Sequence, residues 1–394
     1  MISFKKVIRS MTALFVGMSF LFVAHAVMVS SLGVILKQNN TPEWIIGLIG
    51  SCFSIGGILS TFSSHRLVSR IGHIRSFGIL CAGFSICVMM HNLINNLYFW
   101  GFLRFVIGFC YYGLLMVIES WLNTKARDSI RSRVLSFYEI VFYSSYGMGV
   151  LIIALNLDYQ TLFIISACLL MFASVPLNLI RIKQPIIPEK TPISFPKFFN
   201  IAPLALVTAF IGGMAMNGFL TMGSLFVLLQ GFDEKAVSYF IGSALIGGFV
   251  AQSFIGIISD KLGRKFAIMM SAIMALVSLI LFVILKPSLY IQCVLAMFLG
   301  MSIFCFYVLA LARANDMIND KSKSVEIGRT VLCAYSFGSL VAPLMLGIVM
   351  QIFDALGFVY FYIVIISFLI IFAINKPSIK AKFKFNQIKK YGFK

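Results

Sequence analysis

Apolar stretches of twenty or more residues recur along this chain with only short polar breaks between them, and that recurrence leaves few folds open. They run near residues 11–36, 43–68, 76–95, 97–122, 133–156 and 159–181, then near 201–230, 235–259, 266–286, 288–315, 327–352 and 356–375. Crossing about 30 Å of hydrocarbon takes roughly 20 apolar residues in a helix. Lipid offers no partner to a backbone amide, so each crossing segment must satisfy its own and is a helix. Strand-like alternation is absent, which excludes a membrane barrel. Charged residues make up 11% of the chain, against about 25% in soluble domains. The expected fold is an all-α polytopic membrane protein with twelve transmembrane helices.

The first span resembles a secretory signal, with a basic start and Ala24-His25-Ala26 placed like a cleavage site. Its apolar run continues to Leu36, too long for a signal core, so it is expected to remain as a span. With the N-terminus taken as cytoplasmic, 28 of the 32 basic residues fall on one side, from Lys5, Lys6 and Arg9 to the lysines of the tail. Lys37, Lys235 and Lys286 fall on the other. The positive-inside rule predicts such a bias, and it accounts for the net charge of +19 without a nucleic-acid partner. Both termini are expected in the cytoplasm, with the lysine tail against anionic lipid headgroups. Abundant Ile, Phe and Lys beside scarce Ala suggest an AT-rich bacterium, hence its cytoplasmic (inner) membrane.

All eight cysteines fall inside spans and form no CxxC pair; they are expected as apolar fillers. No P-loop, HExxH or nucleophile elbow occurs, no span carries a metal-ligand cluster, and no cofactor or metal is expected. The non-membrane stretches leave no room for a soluble catalytic domain.

Internal repetition divides the chain in two. Shifts of 191–196 residues superpose Gly72 on Gly263, Gly108 on Gly300, Asn123 on Asn315, Arg133 on Arg329 and His25 on Asn217. The division expected is an N-terminal six-helix bundle at 1–181, a cytoplasmic linker at 182–200, a C-terminal six-helix bundle at 201–375 and a basic tail at 376–394. The halves share one in/out sense, so a pseudo-twofold axis along the membrane normal relates them and a substrate path runs between them.

Gly256-x-x-x-Asp260-Lys261-x-Gly263-Arg264-Lys265 resembles the loop signature of the major facilitator superfamily. Its counterpart after the second span keeps Arg70, Gly72 and Arg75 but has Ser69 in place of the acid. Arg104-Phe-Val-Ile-Gly108 resembles the superfamily's second signature. Gly338, Pro343 and Gly347 in the eleventh span are similar to an antiporter motif that belongs in the fifth, where only Tyr146-Gly-Met-Gly149 stands. "RIGHIRSFG", "ESWLN" and "ARAND" further resemble the poorly characterised YcaD-like group. The resemblance implies a monomeric secondary transporter working by alternating access, with two six-helix bundles, a small organic solute and H⁺ as partners.

Ionisable groups inside spans carry the functional expectations, because burying them in a bilayer is costly. Arg104, His25, Glu119, Glu139 and Asn217 are the candidates for the substrate and proton pathway. Arg104 would bind an anionic group or gate a proton, Glu139 would carry the proton, and Asn217 would complete a polar ring with His25. Glu119 is open between a pathway role and a structural partnership with a basic residue. The loop residues Arg70, Gly72, Gly256, Asp260, Gly263, Arg264 and Lys265, with Arg131 and Arg133 at the start of the fifth span, form a candidate conformational latch. Asp260 would hold the start of the fifth span when the cytoplasmic side closes. Asn315, Asp316, Gly338, Pro343 and Gly347 are candidates for gating or helix packing. Proton-coupled export by antiport is the leading expectation. Symport of an organic acid or other metabolite into the cell is the alternative, and a transporter-derived sensor or an intramembrane enzyme is the remote one.

Overall fold

The computed structural model describes residues 11–125, 131–179, 202–285, 288–317 and 324–377. The expected linker at 182–200 and most of the basic tail therefore lie outside the described residues. The helices are α1 (Thr12–Gln38), α2 (Glu43–Ile71), α3 (His73–Leu93), α4 (Leu97–Lys125), α5 (Arg131–Ile153) and α6 (Tyr159–Leu179). They continue as α7 (Pro203–Leu229), α8 (Glu234–Leu262), α9 (Arg264–Leu285), α10 (Leu289–Ile303), α11 (Phe306–Asp316) and α12 (Ser324–Ile374). Among the described residues there is no strand.

Among the described residues ten helices, or eleven with the bent α8 as one span, are long and apolar enough to cross a membrane, and helix and crossing do not correspond one to one. The tenth crossing is broken into α10 and α11 at Phe304-Cys305. α12 has 51 residues and would reach about 76 Å if straight, more than twice the hydrocarbon thickness. Asp354, at φ 51° and ψ −142°, turns it back and makes two crossings of it. α8 bends by 44° between Gln252 and Phe254.

Two turns at one end of the bundle are single glycines: Gly72 between α2 and α3 at φ 83°, and Gly263 between α8 and α9 at φ 98°. An L side chain is strained at such φ values, which is why both repeats keep glycine there.

Contacts sort the helices into two sets. In the first, α2 packs on α4, and α1 on α5 and α6; in the second, α8 packs on α10, and α7 on α12. Gly56 and Gly108 let α2 and α4 meet backbone to backbone, at the carbonyls of Phe105 and Phe53. Gly247 and Gly300, 191 and 192 residues further on, do the same for α8 and α10 at the carbonyls of Met297 and Ala244. The repeat seen in the sequence is thus a repeat of helix crossings, and the architecture is two related six-helix bundles. α1 and α7 are buried over most of their length at the centre, while α6 and α9 turn more of their surface outward.

The halves touch through α1–α7, α2–α12 and α5–α8. One end of the bundle is closed. There Pro343 packs on Gly47 and Gly50, and Gly347 on the Glu43 carbonyl. The Glu43 N–H donates to Gln351 Oε1 (2.9 Å), Gln38 Nε2 to Glu234 Oε1 (2.8 Å), and Ser51 Oγ to the Leu340 carbonyl (2.8 Å). The other end carries Arg66, Arg70, Arg264, Lys265, Arg313 and Arg329, and is termed the basic face.

Candidate functional site

A cavity of about 1020 Å³ lies between the halves. Arg66, Ser69, Arg70 and Arg329 stand at its mouth on the basic face, and His25, Phe53, Tyr146 and Asn217 at its closed end. Phe53 and Arg66 share α2, thirteen residues apart, so the cavity is about 20 Å deep. On α5, Tyr138, Glu139, Phe142, Tyr143 and Tyr146 line it at helical spacing; on α4, Tyr111, Tyr112, Leu115, Met116 and Glu119 do the same. Residues three and four apart share a helix face, so each helix offers one aromatic face ending in a carboxylate towards the mouth.

Glu119 and Glu139 both border this space, and neither has a hydrogen-bond or ion-pair partner among the described residues. Glu119 is therefore not the structural partner of a basic residue there. His25 is buried, with its ring stacked on Tyr111 at 3.8 Å and 13°. Among the described residues both of its ring nitrogens lack hydrogen-bond partners, as does the Tyr146 hydroxyl. Arg104 is not part of the wall. It is 1% exposed and its guanidinium lies over the Phe53 ring at 4.7 Å, so Phe53 separates it from the cavity. Asn217 borders the cavity but does not pair with His25. Its Nδ2 donates to the Ser339 carbonyl (2.7 Å) and to Ser54 Oγ on the opposite half (3.2 Å).

The loop residues form a separate cluster. Arg264 Nη1 bonds Asp260 and Ser259 Oγ, and its Nε donates to Asp316 Oδ2 at 2.8 Å. That joins the end of α8, the start of α9 and the end of α11 within the second half. Lys265 Nζ caps the last helix at the carbonyls of Ile374 (3.0 Å) and Lys376 (2.6 Å), as a cation at a helix C-terminus should. Arg70 is exposed at the mouth, and Gly256 is exposed with open space around it. In the first half, the Ser69 hydroxyl turns back to the Arg66 carbonyl (2.9 Å). Arg131 and Arg133 open α5, but their side chains lie outside the described residues. Asn315 donates to its own helix at the Leu311 carbonyl (2.9 Å). Gly338 meets the Phe210 carbonyl of α7, whereas Pro343 and Gly347 pack across to α2.

Gln252, Tyr143, Tyr146 and Tyr335 are wall residues that the sequence reading did not single out. The signal was present on α5, where Glu139, Tyr143 and Tyr146 keep one-face spacing. Among the described residues, no group of His, Cys, Asp and Glu could hold a metal.

Residues 12–325 match the description of the Major Facilitator Superfamily. The chain belongs to this superfamily. It is 22% identical over 349 residues to the uncharacterized MFS-type transporter YcaD of Escherichia fergusonii, covering 87% of this chain and 89% of that protein. Its identity to the YcaD of Salmonella newport is 24% over 353 residues, with the same coverage. In fold it is similar to a mutant of the nucleoside transporter NupG, with a TM-score of 0.78 at 12% identity over 93% of this chain and 98% of that one. A bacterial homologue of the human lysosomal transporter Spinster, in an inward-facing and occupied conformation, gives a TM-score of 0.74 at 13% identity over 92% and 94%. The major facilitator protein described here is thus a multi-pass membrane transporter of a small molecule, not an enzyme.

Proposed function

We propose that this protein exports a small organic solute across a bacterial cytoplasmic membrane in exchange for protons, as a monomer that rocks its two halves about the central cavity. The observation that carries the reading is the pair Glu119 and Glu139, which border the solute path with no hydrogen-bond or ion-pair partner among the described residues. A carboxylate so placed can hold a proton in one state and, in another, release it to water as the solute takes its place, which is what obligatory exchange requires. The basic face is taken as cytoplasmic because the chain's positive charge concentrates there, which puts both termini inside and makes the conformation described inward-open. Closure at the opposite end, between α2 and α12, leaves one entrance at a time, as alternating access demands. Asp260 and Arg264, with Arg70, Gly72, Gly256, Gly263 and Lys265 at or near the same two helix turns, act as the inner latch that meets the start of α5 at Arg131 and Arg133 when the cavity closes on this side.

The test uses purified protein in liposomes that hold a trapped pH-sensitive dye. A bacterial small-molecule extract added under an imposed pH gradient is expected to evoke proton flux in the wild type and none in Glu139→Gln. Absence of flux in the wild type, or equal flux in the variant, would overturn the proposal.

A further inference from the structure

The charges along the cavity wall are ordered by depth. Glu139 lies eight residues inside the basic end of α5, about 12 Å, and Glu119 six residues inside that of α4, about 9 Å. Arg66 and Arg329 stand about 8 Å inside the ends of α2 and α12, and Arg70 about 2 Å. Arg329 already has a partner. Arg66 and Arg70 are exposed at the mouth, where water and salt screen them within about 8–10 Å. Arg104, the remaining cation at depth, is shut behind Phe53. A solute that passes Arg66 and Arg329 therefore meets the two carboxylates next, and no free cation borders the space beyond them among the described residues.

Aromatic faces surround the two carboxylates. Tyr112 on α4, Tyr138 and Tyr143 on α5, Tyr307 on α11 and Tyr335 on α12 all border the same space. A cation over an aromatic face gains about 0.5–2 kcal/mol, and a carboxylate beside it adds to that. The same cavity holds a second, independent sign of a ligand at its closed end. His25 is 5% exposed and Tyr146 1% exposed; both border the cavity, and the ring nitrogens of one and the hydroxyl of the other have no hydrogen-bond partner among the described residues. Buried polar groups left unpaired are costly, and a ligand reaching that end relieves the cost.

We infer that the transported solute is an organic cation with an apolar or aromatic body, held by Glu119 and Glu139 within a cage of tyrosines. This rests on the cavity being the solute path proposed above and names the class of solute it takes. A zwitterion would need a free cation within the chamber to meet its anionic end, and the described wall offers none past the rim.

The test is equilibrium dialysis of the full-length protein in nanodiscs of neutral phosphatidylcholine, with two probes of equal size and opposite charge. Radiolabelled tetraphenylphosphonium is expected to bind saturably, while tetraphenylborate shows only unsaturable partition into lipid. Glu119→Gln and Glu139→Gln, isosteric and uncharged, should each weaken phosphonium binding about tenfold, and the double variant should lose it. Saturable binding of tetraphenylborate, saturable binding of neither ion, or undiminished phosphonium binding in the double variant would each overturn the inference. The comparison of two probes on the wild type stands even if a variant fails to fold. Extract-driven proton flux without phosphonium binding would sink the cation and leave the exchanger. Phosphonium binding without any flux would do the reverse.

Discussion

The guanidinium of Arg104 rests 4.7 Å above the ring of Phe53, and it is Phe53 that faces the cavity. Arg104 Nε and Nη1 have no hydrogen-bond partner among the described residues, so a cation stands nearly alone in the membrane interior. Removing an unpaired buried charge costs little stability and can raise it. Arg104→Met is therefore expected to melt within a few degrees of the wild type, or above it, in detergent. Proton-driven flux in the same variant should fall at least tenfold if the charge serves the transport cycle. A fall in stability of about 3 kcal/mol or more would instead mark Arg104 as a structural tie.

Gly47 tests how the closed end is held. A Cβ there would overlap the Pro343 carbonyl on the other half, whereas a Cβ on Gly56 would overlap the Phe105 carbonyl within its own half. Valine at the two sites should consequently differ in kind. Gly47→Val should fold but separate α2 from α12 and shift the protein away from the conformation described here. Gly56→Val should damage the first bundle itself. Cys333, on the cavity wall, reports the difference: an impermeant thiol reagent on the basic face should label it less in Gly47→Val, with the melting curve retained. Equal labelling would show that this contact does not govern closure.

The crossings were legible because twenty apolar residues in lipid have one backbone solution, and the repeat was legible because Gly108 and Gly300 recur at a fixed offset. The break at Phe304-Cys305 was not, since neither Pro nor Gly marks it; it occurs where Phe304 packs on Gly248, a contact between distant segments. The candidate site was half legible. Span position alone singled out Glu119, Glu139, His25, Arg104 and Asn217, because charge and polarity in a bilayer are conspicuous. Which of them reach the cavity depends on helix rotation, so the screening of Arg104 by Phe53 left no trace in the sequence. Of the chain's 14 tyrosines, Tyr111, Tyr112 and Tyr307 were legible as amphipathic lining, whereas Tyr138, Tyr143, Tyr146 and Tyr335 were not.

Asn217 joins three elements at the closed end of the cavity. Its amide nitrogen reaches Ser54 on α2 and the Ser339 carbonyl on α12, and Thr221 Oγ1 donates to its Oδ1 at 3.4 Å. Only the Ser54 bond crosses between halves, and one such bond contributes about 1 kcal/mol. Asn217→Ala should therefore weaken closure at that end by about fivefold in population. Distances between spin labels on the far-face ends of α1 and α7 should show the separated state enriched by that factor. An unchanged distribution would place Asn217 within the packing of the second half alone.

The triad Asp260–Arg264–Asp316 separates a packing role from a switching one. Arg264 bonds both acids, and all three residues belong to the second half. Their side chains are partly exposed, at 51%, 18% and 35% for Asp260, Arg264 and Asp316, and such pairs contribute about 0–1 kcal/mol. Asp316→Asn should therefore lower stability by no more than about 1 kcal/mol, an effect that fades near 1 M salt, where the screening length is about 3 Å. Asp260→Asn should behave otherwise if Asp260 leaves Arg264 for the start of α5 when the basic face closes. It removes a contact of the closed state as well as one of the open state, and in the open state Arg264 keeps Asp316. The balance then tips towards opening, so Cys333 should label faster from the basic face in Asp260→Asn than in the wild type or in Asp316→Asn. Equal rates in all three would mean that Asp260 serves only to fasten the α8–α9 turn.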